Sequence, residues 1–478
     1  MKRSRGALKV GSAGLAAVVV VLAAILGPAP GFAETTPPAD PSPTPTAPAS
    51  STPASLAEST DTTTSTSPSS SAEQTDPASG DQYSASAVEG TGETPRSLTL
   101  TVTSSGLPAG TFYSDIGSFK VRGAEVGGTD PVEIWRSRAG MWTRLGTVTP
   151  DDDGRYAASY LVKAAGTYGF QATLGGAPTS ATVISNLVSV SVKQSSIVLN
   201  KPVSSIDSLK NPRITGLVIP ARTGVDVHID VLRSGSYRYV ASAVTDSYGR
   251  FSMRLSYGRG SLATYTIRAT YHAPNRDRWI RSSSQSFTRI AVLNPVTTPT
   301  TSTDVAKTYH AGCPVGPSKL STIRMNFYGR DRKMHRGVII VRTDLTTEIK
   351  RGFRTALSHR YSIARMKNPN VYGGSDPVQM EANNTSGFNC RKVVGNPYAQ
   401  SPHSYGIAID VNTVQNPYRD INGKWWPENG LSYIDRSNRR RGMLYSDSSL
   451  TRSLRGDEFF WGGFWYPGRD YQHFQYNP

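Results

Sequence analysis

The chain has 478 residues, 52 Lys and Arg against 35 Asp and Glu, a formal net charge of +17, and only two cysteines. That length holds several domains, and so basic a balance serves either solubility or attraction to an anionic partner. Two cysteines 77 residues apart, without a CxxC spacing, make a poor thiolate metal site.

Lys2, Arg3, Arg5 and Lys9 precede an apolar run from about Ala13 to Ala29, and Gly31 and Ala33 stand where a signal peptidase cuts. Residues 1–33 therefore read as a secretory signal peptide. The alternative is an uncleaved N-terminal anchor. Roughly 17 apolar residues is borderline for a span, but Gly27, Pro28 and Pro30 end the helix early. No later segment can cross a membrane, so no stable span is expected after cleavage. Export makes nucleic acid an improbable partner. The expected partner is peptidoglycan or another anionic wall polymer, and the expected location is secreted or wall-associated. In an exported protein the even pair Cys313 and Cys390 favours a disulfide, which would contribute about 2–4 kcal/mol.

Residues 34–94 are Thr, Ser, Pro and Ala with almost no aromatics. They cannot bury enough surface to offset chain entropy and read as a disordered stalk. Residues 95–193 then show short alternating segments, among them SLTLTVTS, VEIWR and RYAASYLV, separated by Gly, Pro and Asp turns. Residues 194–294 look like a second copy. A shift of 95 residues aligns Val132 with Val227, Ile134 with Ile229, Trp142 with Tyr237, Asp151 with Asp246, and GRY at 154–156 with GRF at 249–251. The pattern predicts two tandem all-β immunoglobulin-like sandwiches. Residues 295–304, Pro- and Thr-rich, read as a linker.

Residues 305–478 change period. GVIIVRT at 337–343 reads as a buried strand, and TDLTTEIKRGFRTALSHRYSI as a helix with Asp344, Thr346 or Thr347 at its cap. Ile349, Phe353, Leu357 and Tyr361 would share its apolar face. Strand segments follow at SYGIAIDVN and near the C-terminus, which makes a mixed α+β domain.

Seven histidines occur. His228 and His272 belong to the second sandwich, His310 to the linker region and His359 to a polar helix face. His335, His403 and His473 remain, with His335 a candidate to line a site. A catalytic zinc needs three N or O ligands and one open position, and His403, Asp410 and His473 supply such a set. On a straight strand His403 and Asp410 would lie roughly 23 Å apart, so the chain must turn, and Gly406 is where it can. In DYQH, Asp470 precedes His473 by one turn and is placed as general base.

SPHSYGIAIDVN resembles the SxHxxGxAxD motif of the zinc D-alanyl-D-alanine carboxypeptidase and peptidoglycan LD-endopeptidase family. FFWGGFWYPGRDYQHFQ resembles that family's aromatic WGG stretch followed by DxxHF, and SGFNCR its Arg segment. The resemblance covers roughly 305–478. It implies a hedgehog/DD-peptidase fold, Zn2+ on His403, Asp410 and His473, and Asp470 as base. It also implies that Arg391 binds the substrate carboxylate or polarises its carbonyl, and that Ser401 touches substrate. Phe464 stands where the family commonly has an acidic or polar residue, which bears on substrate preference. A Cys313–Cys390 bridge would tether the segment that carries Arg391, and the Arg-rich NRRRG at 438–442 either meets a substrate C-terminus or is a solvated loop. The expected function is an exported zinc peptidase acting on peptidoglycan stem peptides. The alternative is a non-catalytic wall-adhesive protein with a structural metal domain.

Overall fold

A computed structural model describes residues 95–478 apart from 106, 108–111, 162, 274–276 and 478. The signal segment (1–33) and the stalk (34–94) lie outside the described residues. In residues 95–193, strands with one apolar face can hide it only against a second sheet. Ser97–Leu98, Thr101–Ser104, Phe119–Val126 and Arg155–Tyr160 form one sheet. Val132–Arg138, Met141–Val148, Gly166–Leu174, Val183–Ile184 and Val188–Val192 form the other. Phe119, Val121 and Tyr156 from the first meet Ile134, Phe170 and Ala172 from the second.

Residues 194–294 repeat this plan. Ser196–Leu199, Arg213–Ile219 and Arg250–Arg254 face a sheet ordered Ser205–Asp207, Gln285–Ile290, Thr264–Ala273, Asp226–Arg233, Ser236–Val244. This is a Greek-key strand order of the immunoglobulin type. Both modules carry a β-bulge at the matching place, Ile134/Trp135 and Ile229/Asp230. The repeated Gly-Arg-aromatic motif is a turn. Asp151 Oδ1 accepts the Arg155 N–H at 2.8 Å, and Asp246 Oδ1 accepts that of Arg250 at 2.9 Å. Gly154 and Gly249 take the left-handed φ of +78° and +73° that the turn demands, and Tyr156 and Phe251 then enter the cores.

The last domain combines α1 (Thr346–Ser358), α2 (Asp376–Glu381) and α3 (Ser449–Arg455) with antiparallel sheets. Two expectations are corrected. Within the expected linker 295–304, Val296–Pro299 pairs with Ser321–Arg324 as the edge of a sheet completed by Leu320–Tyr328 and Met334–Arg342. Its β-branched residues suit a strand, and Pro299 at the strand's end spares the ladder. Nor does a side chain cap α1, because the 3₁₀ turn Thr343–Leu345 runs directly into it and puts Leu345 at the cap. Ile349, Phe353 and Leu357 are buried, while Tyr361, past the helix end, donates its hydroxyl to Gly442 O at 2.8 Å.

The second sandwich is built onto this domain. Leu209, Leu262 and Leu293 join its apolar core. The Asn326 and Met334 N–H groups donate to Leu293 O and Gly260 O at 2.7 Å each. Asn294 and Asn326 amides donate to the buried Asp207 Oδ2 at 3.2 and 3.1 Å. A further sheet, ordered Ala408–Asp410, His473–Tyr476, Phe459–Trp461, lies on the same core and carries the site.

Candidate metal centre

The SPHSYGIAIDVN segment is not one strand. Pro402–Tyr405 forms a 3₁₀ turn, Ser401 Oγ accepts the His403 N–H at 3.3 Å as its cap, and only Ala408–Asp410 is extended. The turn ends at Gly406 with φ +68°, where a Cβ would come within 2.7 Å of Leu320 Cδ2 and 2.9 Å of Arg342 N. Left-handed backbone alone costs about 1–2 kcal/mol with a side chain. Gly406→Ala is expected to lower stability by at least about that amount, read by denaturant unfolding, and to weaken metal binding with it.

Beyond the turn, Ile409 and Val411 pack into the core while Asp410 faces a cavity. Strand register sets Asp410 directly opposite His473. His403 Nε2 lies 3.1 Å from Asp410 Oδ2, His473 Nδ1 lies 3.2 Å from Asp410 Oδ1, and the two nitrogens are 3.2 Å apart. All three residues are buried. The outer nitrogens fix the tautomers. His403 Nδ1–H donates to Gly387 O at 2.6 Å, and His473 Nε2–H to Gln475 Oε1 at 3.3 Å. Both inner nitrogens thus present lone pairs to a carboxylate. Three lone pairs at this separation repel unless positive charge sits among them. A tetrahedral zinc with bonds of about 2.0–2.1 Å sets its ligand atoms about 3.3 Å apart, so the set fits that ion. Burial alone would raise the Asp410 carboxyl, but with no metal bound, protons on the inner imidazole nitrogens let His403 and His473 hold it well below the usual carboxylate range.

Asp470 stands beside this triangle. Its N–H donates to Gly462 O at 3.0 Å, and a Cβ on Gly462 would meet Asp470 O at 2.7 Å. The WGG glycines are therefore there for close approach. Burial pushes Asp470 up to about 7, with the Asp410 carboxylate adding to the rise and His473 opposing it. Arg391 reaches the same cavity and pairs with Asp376 Oδ2 at 2.6 Å, and Gln379 Nε2 donates to Asp376 Oδ1 at 2.5 Å. Asp470 Oδ1, Arg391 Nε and Gln472 Oε1 are buried without a hydrogen-bond partner. Such orphans cost free energy and are expected where a ligand completes the site.

The cavity brings together Ser401, His403, Asp410, Asp470, His473 and Arg391, walled by Asp376, Tyr418, Trp465 and Gln472. Cys313 and Cys390 form a disulfide across a separation of 77 residues, so no thiolate is left for the neighbouring His310. Other candidates lie away from the cavity, and for His335 and the NRRRG segment the surface alternative holds. His335 is exposed, bonds Asp331 at 2.9 Å and stacks on Phe327, away from the residues that line the cavity. The NRRRG arginines are occupied elsewhere: Arg439 by Asp447, Arg440 by Tyr433 and Ser432 O, Arg441 by Arg330 O. Phe464 packs on Trp461 and under Arg455. Sequence reasoning missed Asp376, Tyr418, Trp465 and Gln472. Trp465 and Gln472 lie within the WGG and DYQH stretches and were within reach, whereas Asp376 in SDPVQME gives no signal.

Two imidazoles and a carboxylate around one point, with a second carboxylate alongside, make this a candidate mononuclear metal site with the donor set hydrolases use. Residues 395–476 match the family model described as D-alanyl-D-alanine carboxypeptidase. The match contains Ser401, His403, Asp410, Asp470 and His473, and leaves out Arg391 and both cysteines. This segment is therefore peptidase-like. No curated protein matches the chain. Among solved structures, a tetra-tandem repeat from the extending region of a large adhesion protein is 13% identical over 52% of this chain and 64% of its own, with a TM-score of 0.21. Invasin, a bacterial integrin-binding protein, is 14% identical over 50% and 47%, also at 0.21. The chain thus spans less than two thirds of either, and at that TM-score neither defines its fold.

Proposed function

We propose that this protein is an extracytoplasmic zinc peptidase of the hedgehog/DD-peptidase type that hydrolyses peptide bonds in peptidoglycan stem peptides, as a D-Ala-D-Ala carboxypeptidase or an LD-endopeptidase. The observation that carries the reading is the unpartnered Asp470 Oδ1 in the same cavity as the three converging lone pairs. Zinc held by His403, Asp410 and His473 would supply Lewis-acid activation of water and carbonyl. Asp470 takes the proton of the attacking water and returns it to the leaving amine nitrogen. Arg391 binds the substrate carboxylate or stabilises the carbonyl oxygen as charge develops, and Asp376 holds its guanidinium in place. The Cys313–Cys390 bridge tethers the Arg391 segment. Ser401, already the cap of the His403 turn, reaches substrate from the cavity wall. Trp465, with its ring 5.3 Å from that of His473, shields the site from bulk water.

Among the described residues no helix is long and apolar enough to cross a membrane. The test is mass spectrometry of peptidoglycan incubated with the protein, with and without a chelator. New amino termini or released D-Ala that vanish with the chelator are expected. Zinc-loaded protein that releases neither would turn the reading to wall adhesion.

A further inference from the structure

The outward face of the larger sheet in the second sandwich carries another set of convergent side chains. Register creates it. Asp230 stands between Tyr239 on one neighbouring strand and Arg268 on the other, and His228 lies opposite Thr270. Trp279 sits on the next strand, Arg278–Arg281. The His228 ring is 4.8 Å from that of Tyr239 and 4.7 Å from that of Trp279, so it joins the two aromatics into one wall. Tyr239 and Trp279 nevertheless remain 59% and 39% exposed. The floor is the Asp230–Arg268 ion pair at 3.0 Å, mostly buried, with the guanidinium stacked 3.9 Å over Tyr237. These residues line a groove.

The framework does not require them. In the first sandwich the same strands, bulge and register place Glu133, Trp135, Arg144 and Gln171 where the second has His228, Asp230, Tyr239 and Arg268. At these positions that module has one aromatic, Trp135, and a more exposed Glu133–Arg144 pair at 3.0 Å, so the two-ring wall and the largely buried floor are additions to one copy. Its chemistry is specific. Exposed aromatic faces take the C–H faces of sugar rings, and a partly desolvated carboxylate–guanidinium pair holds acceptors and donors rigid for hydroxyls. That pair cancels its own charge and Arg281 adds one exposed cation at the groove, so the groove suits a polyol surface with at most scattered carboxylates rather than a dense polyanion.

We infer that this face is a saccharide-binding site. Resting on the peptidase reading, we assign it the amino-sugar backbone of peptidoglycan, so that module 2 holds the polymer while the last domain cuts its peptides. The test is co-sedimentation of the chelator-treated full chain with peptidoglycan stripped of its peptides by an amidase. Tyr239→Ala with Trp279→Ala is expected to weaken binding about tenfold or more, with the unfolding temperature and zinc-loaded hydrolysis of a short soluble stem peptide unchanged. Tyr239→Ala alone, at the more exposed position, should weaken binding in part and guards against a folding defect in the double variant. Wild-type protein that does not bind the stripped glycan, or variants that bind as the wild type does, would overturn the inference. Binding is read without metal, so absence of hydrolysis would defeat the peptidase reading and leave this measurement standing.

Discussion

Asp470→Asn is expected to cut hydrolysis by roughly 10²–10⁴-fold, the usual worth of a positioned general base, while the zinc content by elemental analysis stays at the wild-type value. The substitution keeps the shape, and the three ligand atoms come from other residues. A structural or merely adhesive metal domain has no use for a base there and would show no such split. The same variant has a second signature in metal-free protein. Burial raises the Asp470 carboxyl to about 7 in the fold against roughly 4 in the unfolded chain. A group bound more tightly by its proton in the folded state stabilises it most at low pH. Stability of the chelated wild type should therefore fall as pH rises from about 4 through 7, and the Asn variant should lack that part of the decline. Zinc favours the carboxylate and should flatten the difference. Unfolding curves across that pH range, with and without metal, check both statements.

Asp376→Ala is expected to be the most damaging change outside the ligands. It strips the partner from an Arg391 side chain that is only 17% exposed, and breaking a buried pair from one side costs about 3–5 kcal/mol. Activity should fall as well, chiefly through a higher KM, because the released guanidinium no longer faces the cavity in one orientation. Asp376→Leu combined with Arg391→Met should regain much of the stability, since no charge is left stranded, yet regain no activity. If the double variant cuts substrate as the wild type does, neither residue serves the site. Denaturant unfolding and steady-state kinetics on the three proteins separate these outcomes.

Both predictions turn on residues of unequal legibility. Asp470 is readable because DYQH keeps candidate base and candidate ligand within one turn, and the alternation of Ile407, Ile409 and Val411 against Asp410 tells which side of the strand is free. The need for a bend at Gly406 followed from strand rise alone, and the left-handed φ there meets it. The sandwich repeat was readable for a similar reason. An Asp-bonded turn with a left-handed glycine leaves its residues four apart in the chain, so it repeats visibly. The strand at 296–299 was not readable, because a Pro/Thr run has the composition of a linker and becomes a strand only when Leu320–Tyr328 offers it an edge.

By itself the sequence determined the periodicities, the module repeat and the short-range motifs, and through them the identity of the three candidate ligands and the candidate base. Those are properties of neighbours along the chain, governed by turn chemistry, strand pleat and residue type. Only the tertiary structure decided how the motifs meet: that Asp410 faces His473 across two strands, that Gly387 and Gln475 turn both imidazole lone pairs inward, and that Asp376 lies against Arg391. It also decided that the second sandwich shares the core of the last domain and bears a two-ring aromatic groove where its sister has Trp135 alone. Such contacts depend on packing between distant segments, and no local pattern encodes the partner across the gap.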